Sequence, residues 1–409
     1  MKILLVTSSL PYPPVVGAKL RVWNLLKHIA DLHEVTLLSL LDSADEAQYI
    51  PYLQRYCSRV ETIVKQRRRP RGKLLLRLLQ TMLVGQPPRN GIAYFKEMKL
   101  KIQEVIKSQV FDIVHIEQSH MAPYVEFMDC AKNPAYLITL YDIGATQYER
   151  LLAIKSTFQN RFFTWLDWFF LRSWEPSYLA HHFDKCMVVS SVDRDILRKA
   201  NPALDPVVIS NGVDTSLYEL LPDCSESKDI LFIGKMNYPP NVDSVLFFYQ
   251  EVFPLVRRQV SEARILIVGT SPSPEIQDLA NDPKVELAGQ VEDIIPYYKR
   301  ACISAVALRA AGGTRLKILE SMALGRPVIS TSIGCEGLAV THGENILIAD
   351  TPADFAARTV QLMKDKDLRQ RLILNGRRLV EKEYDWKIIA QQLIKVYDEV
   401  VSLKGDSTI

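Results

Sequence analysis

The stretch "ISAVALRAAGGTRLKILESMALGRPVIST", Ile303–Thr331, reads as a strand, a glycine turn, a helix and a second strand in immediate succession. Ile303–Leu308 is a short apolar run, and Gly312 and Gly313 allow a backbone nest after it. Thr314 is placed to cap the helix, which Gly325 and Pro327 then end before the next apolar run. The first turn carries Arg315 and Lys317, followed by Glu320. A helix N-terminus favours negative charge, so two cations there predict an anion that the chain itself does not supply. Lys317 and Glu320 are three residues apart and share one helix face. A lysine for a phosphate and a carboxylate for sugar hydroxyls, at that separation, describe a nucleotide. The competing reading is an exposed ion pair worth about 0.2–0.5 kcal/mol.

The same strand–helix alternation extends in both directions. Before it lie Lys2–Thr7, Glu34–Leu40, Phe111–Ile116, Ala135–Tyr141, Lys185–Ser190 and Pro206–Ser210. Asp229–Gly234, Arg264–Gly269, Val285–Gly289, Ile303–Leu308 and Pro327–Thr331 form a second series. Uninterrupted apolar strands separated by helices predict an α/β chain with parallel sheets covered on both faces. At 409 residues, one hydrophobic core is too small a unit, and two domains are expected. The polar stretch Ser210–Asp229 reads as the linker between them. The division predicted is 1–210 and 211–385, with 386–409 as a last helix that no strand follows. Ligands of doubly wound sheets lie beyond the carboxyl ends of the strands, which directs attention to the residues just after each run.

Composition narrows the function. Hydrophobic residues make up 48% and charged residues 24%, as in an ordinary globular chain, and a net charge of +3 does not suggest nucleic acid as a partner. The six cysteines are scattered without metal-ligand or disulfide spacing, which suits a reducing compartment. No apolar run reaches membrane-spanning length, so a cytoplasmic protein is expected, one that could touch a membrane peripherally from that side. Positive charge is uneven: Lys65–Arg77 holds seven basic residues and no acidic one. With the apolar residues that follow, it suits an anionic lipid surface. The aromatic run Arg161–Leu179 offers either an acceptor groove or an interfacial patch, against the ordinary fate of an aromatic stripe, the core.

Candidate site residues follow from the strand ends. Gly17 opens the first helix, where the Ala18 and Lys19 amides can meet an anion, or it is simply a turn glycine. The G-x-G-x-x-G spacing of dinucleotide binding is absent there. Lys235, just past Asp229–Gly234, suits a diphosphate or is an ordinary solvated lysine, and Asn241 and Asp243 read as helix caps. Asp142 leaves a strand end and either takes a proton from an acceptor or serves as a structural aspartate. Glu117 and His120 lie just past another strand, whereas His115, inside it, reads as a core histidine.

Taken together, "GGTRLKILESMALGRPVISTSIGCEGL", "ISNGVD", "FIGKMNYPPNVDSVLFF" and "VELAGQVEDIIPYYKRA" resemble the family-4 retaining glycosyltransferases of the GT-B fold. The likeness runs over essentially the whole chain and is nearest to bacterial members of exopolysaccharide or cell-envelope polysaccharide assembly. It implies two Rossmann-like domains facing a central cleft, with the final helix crossing back to the N-terminal domain. It also implies a nucleotide-diphosphate-sugar donor on the C-terminal domain and a glycan or lipid-linked acceptor on the N-terminal one. Glu320 matches the second glutamate of the family's E-x7-E motif, the ribose holder, while the first would fall at Gly312. Sugar recognition must therefore differ, with the backbone amides of Gly312, Gly313 and Thr314 available in its place. Lys317 resembles the lysine of the K-x-x-E variant, and Lys235 the basic residue of the usual G-R-L turn. The lysine that normally follows corresponds to Pro240, which leaves Lys317 or Arg315 to replace it. Gly17 resembles the glycine facing the diphosphate. Tyr141 stands where relatives often carry a histidine, followed by Asp142.

The mechanism so implied is retaining transfer without an assigned protein nucleophile, in which cations and helix N-termini stabilise the departing diphosphate. Asp142, Glu117 and Lys317 are the residues expected nearest the chemistry. No metal or other cofactor is called for, since no Asp-x-Asp motif is present and lysines supply the charge. Two other readings remain: a nucleotide-sugar epimerase of the same fold, and a non-catalytic scaffold of a polysaccharide complex, which the missing glutamate favours.

Overall fold

A computed structural model describes residues 1–15, 17–65, 71–130, 133–153, 158–222, 226–310 and 312–406; the side chains of 71–75, 153, 158–160 and 405–406 are outside that description. Two compact units emerge. The first comprises 1–152, 156–211 and 386–409, and the second 212–385 with 153–155.

The first unit is built on a parallel sheet ordered β3-β2-β1-β4-β5-β6-β7. Its strands are β1 (Lys2–Thr7), β2 (Glu34–Leu41), β3 (Arg59–Val64), β4 (Ile113–Glu117), β5 (Ala135–Leu140), β6 (Lys185–Val188) and β7 (Val207–Val208). The order reverses between β1 and β4, where Ile3 pairs with Ile113 and Leu5 with His115. Central strands are apolar along their whole length because helices cover both faces, and Ile3, Leu4, Leu5 and Val6 are all buried. Helix α1 (Gly17–Ala30) buries Val22, Leu25, Leu26 and Ile29, the spacing of one helix face.

Helices α2 (Arg71–Leu83), α3 (Pro88–Ala93), α4 (Gly144–Ala153) and α5 (Phe158–His182) belong to the same unit. So does the last helix: Trp386, Ile389, Leu393, Val396 and Tyr397 are buried, and the Tyr397 hydroxyl lies 2.6 Å from His115 Nδ1 on β4. With Thr139 Oγ1 2.7 Å from its Nε2, His115 is the satisfied core histidine expected.

The second unit carries the sheet β10-β9-β8-β11-β12-β13, also parallel. Its strands are β8 (Asp229–Ile233), β9 (Arg264–Val268), β10 (Val285–Gly289), β11 (Ile303–Val306), β12 (Val328–Ser330) and β13 (Leu347–Ile348). Helix α6 (Pro239–Phe247) follows β8, α7 (Leu316–Ala323) lies between β11 and β12, and α8 (Lys366–Glu383) packs on α7. The stretch read as a linker is corrected in its first part. Val213 N donates to Tyr384 O at 2.7 Å, Leu221 N donates to Leu324 O at 3.1 Å, and Arg377 holds the Thr215 carbonyl at 2.9 Å. These bonds make 212–221 an integral strap of the second unit rather than a free connection.

Candidate functional site

In the second unit three groups meet where β8 ends. Gly234 turns the chain out of the strand, and a Cβ there would lie 2.7 Å from Asn241 Nδ2 and 3.0 Å from Lys317 Nζ. Lys317 Nζ donates to Asn241 Oδ1 at 3.0 Å, and Asn241 Nδ2 donates to Lys235 O at 3.0 Å. Asn241 thus joins the turn after β8 to α7, and its expected role as a helix cap is corrected. Asp243 is not a cap either: it takes both arms of Arg309, at 3.0 and 2.6 Å. Lys235 itself is exposed on this turn.

Lys317 and Glu320 do share a face of α7, but they are not an exposed pair. No ion pair joins them, and the Glu320 carboxylate forms no hydrogen bond or ion pair among the described residues. Burial lowers the Lys317 pKa to about 8, helped by Arg315 and opposed by Glu320. Burial also raises Glu320 to about 7, against the pull of Lys317. Burial, and after it the Glu320 carboxylate, push up the phenol of Tyr218. A half-buried cation and a half-buried carboxylate that form no ion pair with each other both keep their hydrogen-bonding capacity for a ligand.

Arg315 behaves otherwise. The helix starts at Leu316 with Arg315, not Thr314, in the capping position and without a side-chain cap. Its guanidinium turns back on its own loop, donating to the Gly312 carbonyl at 2.6 Å, to the Gly313 carbonyl, and to Ile333 O at 3.3 Å. Carbonyl oxygens absorb this charge, so of the two first-turn cations only Lys317 is presented for an external anion. Gly312, Gly313 and Thr314 are partly exposed in the loop that Arg315 clasps.

In the first unit the strand ends surround a cavity of about 620 Å³. Ser8 after β1, Gln118 after β4, and Tyr141 and Asp142 after β5 line it, with Lys65 and Arg89. Gln118 holds a positive φ of 77°, an uncommon conformation for a residue with a side chain, and its amide oxygen accepts from Ser8 Oγ. The turn carrying Asp142 is fixed by a buried glutamate that the sequence did not single out. Glu175 on α5 accepts from Gly144 N at 2.9 Å and pairs with Arg89 at 3.3 Å. Its charge pattern was hidden within an aromatic run.

Glu117 sits apart from that cavity wall, 3% exposed. Its Oε1 lies 3.5 Å from His115 Nε2, and its Oε2 has no partner. Burial raises Glu117 to about 7, while the Arg21 guanidinium and a hydrogen bond from Tyr141 pull it down. Arg21, 1% exposed, donates to Ser210 O at 2.7 Å and Asn211 Oδ1 at 3.0 Å. The structure therefore separates the two carboxylates expected near the chemistry: Asp142 lines the cavity and Glu117 does not. Gly17 is exposed and Ala18 half-buried at the start of α1, while Lys19 is tied to Glu46 at 2.8 Å.

The basic run is only partly described. Lys65 pairs with Asp42 at 2.7 Å and Arg77 lies 5.1 Å from the Tyr94 ring centre, whereas Arg67, Arg68 and Arg69, with the side chains of Arg71 and Lys73, lie outside the described residues. The aromatic run does not line the large cavity. Helix α5 buries Asp167, Leu171, Glu175 and Leu179, and exposes Phe162, Phe163, Trp165 and Phe169 by 41–53%. Among the described residues, no helix is long and apolar enough to cross a membrane.

Comparison with known proteins agrees with this architecture. Residues 227–365 match the family described as glycosyl transferases group 1, and residues 15–217 match glycosyltransferase family 4. A 44.6 kDa protein of the Klebsiella pneumoniae cps region is 21% identical over 96% of this chain and 99% of its own length. A phosphatidyl-myo-inositol mannosyltransferase of Mycobacterium leprae is 28% identical over 48% of this chain and 54% of its own. Among solved structures, sucrose-phosphate synthase from Thermosynechococcus elongatus aligns with a TM-score of 0.73 at 19% identity, covering 98% of this chain and all of that one. Anabaena HepE in complex with UDP-glucose aligns at 0.66 and 16%, with 98% and 100% covered. With its two parallel sheets of GT-B type and these two matched regions, the chain belongs to the family-4 glycosyltransferases.

Proposed function

We propose that the protein transfers a sugar, with retention, from a nucleotide-diphosphate-sugar to a glycan or lipid-linked acceptor in bacterial polysaccharide assembly. The observation that carries the donor half is that Lys317 and Glu320 are half-buried, form no ion pair with each other, and share the helix whose lysine meets the glycine-turned end of β8. Lys317 and Lys235 would meet the diphosphate, and Glu320 the ribose hydroxyls. Gly17 and Ala18 are proposed as amide donors from the first unit, and Gly312, Gly313 and Thr314 as backbone contacts to the sugar. The bond from the anomeric carbon to phosphate oxygen breaks with its electron pair leaving on the diphosphate, where lysine charge stabilises it. The acceptor oxygen bonds that carbon from the same face, and its proton passes to the departing phosphate oxygen or to Asp142. Lysines and amides supply the positive charge, so no metal enters the scheme. Glu117 acts through Tyr141 as a positioning residue.

UDP-glucose bound to HepE makes UDP-sugars the first donors to try. The mannosyltransferase and cps-region relatives support lipid-linked and polysaccharide acceptors respectively. A cytoplasmic protein attached peripherally to anionic lipid fits the charge of Lys65–Arg77 and the exposed aromatic face of α5.

Thermal shift against nucleotide-sugars, followed by nucleotide release with and without lipid acceptors, tests the reading. Lys317→Ala and Glu320→Ala should each weaken donor affinity about ten- to a hundredfold, the value of a charged hydrogen bond. Unchanged affinity in both would refute the assignment. Isomerised sugar formed without acceptor would instead favour epimerisation, and no nucleotide binding at all would favour the scaffold.

A further inference from the structure

Beside the large cavity of the first unit lies a smaller one of about 190 Å³, enclosed by α2, α3 and the turn Ser119–Phe127. His120 lines both cavities, which places them side by side in the first unit. The wall of the smaller cavity holds Asn90, which is 4% exposed and whose amide oxygen and nitrogen both lack a partner. Burying both ends of an amide without hydrogen bonds costs stability, and native structures rarely carry such a group without a reason. The other hydroxyls nearby are already engaged. Thr81 Oγ1 donates to carbonyls of its own helix, and Tyr124 OH accepts from Phe95 N at 2.7 Å while donating to Ala93 O at 3.0 Å. Gln80 and Gln86, also in the wall, make no side-chain hydrogen bond among the described residues.

Among the described residues this cavity has two kinds of wall, one polar and one aromatic. His120 is held uncharged, its pKa lowered to about 3 by burial and by Arg89 and Lys65. Arg77, the one cation in the wall among the described residues, lies over the Tyr94 ring and donates to the Tyr94 carbonyl at 3.3 Å. Tyr94 and Tyr124 stand parallel, 6.1 Å apart, as an apolar side. An amide offers a donor and an acceptor side by side, which complements a vicinal diol, in which each hydroxyl can both give and accept. A ring with hydroxyls at its edge and C–H bonds on its face satisfies both walls. At about 30 Å³ per water, the space equals roughly six waters, the scale of one monosaccharide.

We propose that this cavity is a second sugar subsite, in which Asn90 binds a neutral pyranose of the acceptor next to the unit that receives the transferred sugar. The assignment rests on the transferase reading for the word acceptor, but its test needs neither donor nor turnover. Saturation-transfer NMR on the full chain would use methyl glycosides of glucose, mannose and N-acetylglucosamine as probes. At least one should give a signal with the wild type that is about tenfold weaker or absent in Asn90→Leu, which removes two hydrogen bonds at similar volume. The melting temperature of Asn90→Leu should not fall, because the unpaired amide is removed as well. Gln86→Ala, at the rim, should weaken the signal without abolishing it. Equal signals in wild type and Asn90→Leu, or none with any probe, would overturn the subsite. A signal lost in Asp142→Ala but kept in Asn90→Leu would place the sugar in the larger cavity, overturning this inference while leaving the transferase reading intact.

Discussion

Lys317 and Glu320 both hold the charges that the proposed donor role requires only within a narrow interval of pH. Lys317 loses its proton as pH rises through about 8, and Glu320 gains one as pH falls through about 7. A neutral lysine no longer attracts the diphosphate, and a protonated carboxyl no longer accepts from two hydroxyls. The expected kcat/KM profile is therefore a bell with its acid limb near 7 and its basic limb near 8. Glu320→Gln should remove the acid limb and leave the basic one, which steady-state kinetics across pH would read. A profile flat from about 6 to about 9 would contradict both assignments. Arg315, two residues before Lys317, shows why residue type alone does not define a site. Its guanidinium reaches carbonyls of the preceding loop and of Ile333, while among the described residues the ammonium of Lys317 hydrogen-bonds only Asn241.

Among elements, the strand ends of the second unit leave little room. At Gly269, where φ is 155°, an added Cβ would overlap the carbonyl oxygen of Gly234, so the turns after β8 and β9 pack backbone to backbone. Gly269→Ala must push the β8 turn outward, carrying Lys235 and the carbonyl that Asn241 grips. A loss of about 1–3 kcal/mol in chemical denaturation is expected, together with weaker donor binding. A variant as stable as wild type would show that the turn yields freely. Most strands were legible because a central parallel strand is apolar along its covered length, as Ile3–Val6, Ile230–Ile233 and Ile265–Val268 are. Two escaped notice, β3 and β13, both at sheet edges. Arg59–Val64 mixes charge with apolar residues because an edge strand is only half covered, and Leu347–Ile348 is too short for any period. Helix starts were less legible than strands. Thr314, Asn241 and Asp243 all have capping side chains, yet their partners lie in other elements or outside the cap position.

On the scale of the molecule, the exposed aromatic face of α5 and the leucines of α2 bear on where the protein works. Phe162 stacks on Trp165 and Trp165 on Phe169, with centroids 6.4 and 5.6 Å apart, and Leu76, Leu79 and Leu83 on α2 are exposed by half or more. Sedimentation with liposomes should recover more protein when anionic lipid is present, each basic residue near the surface contributing ~1 kcal/mol. Trp165→Ala should lower recovery on both kinds of liposome. Equal recovery with and without anionic lipid would remove the electrostatic part.

The sequence by itself determined the α/β class, the two sheets, and the pairing of Lys317 with Glu320 on one helix face, since each follows from local periodicity. Only tertiary structure decided that Arg315 serves its own loop, that Glu117 is buried away from the cavity lining, and that the Asn90 amide is buried in a cavity wall without a partner. The reason is physical. Periodicity reports which face of an element is buried, but the state of a charge or an amide depends on partners far away in the chain, such as Glu175 for Arg89 or Asn241 for Lys317.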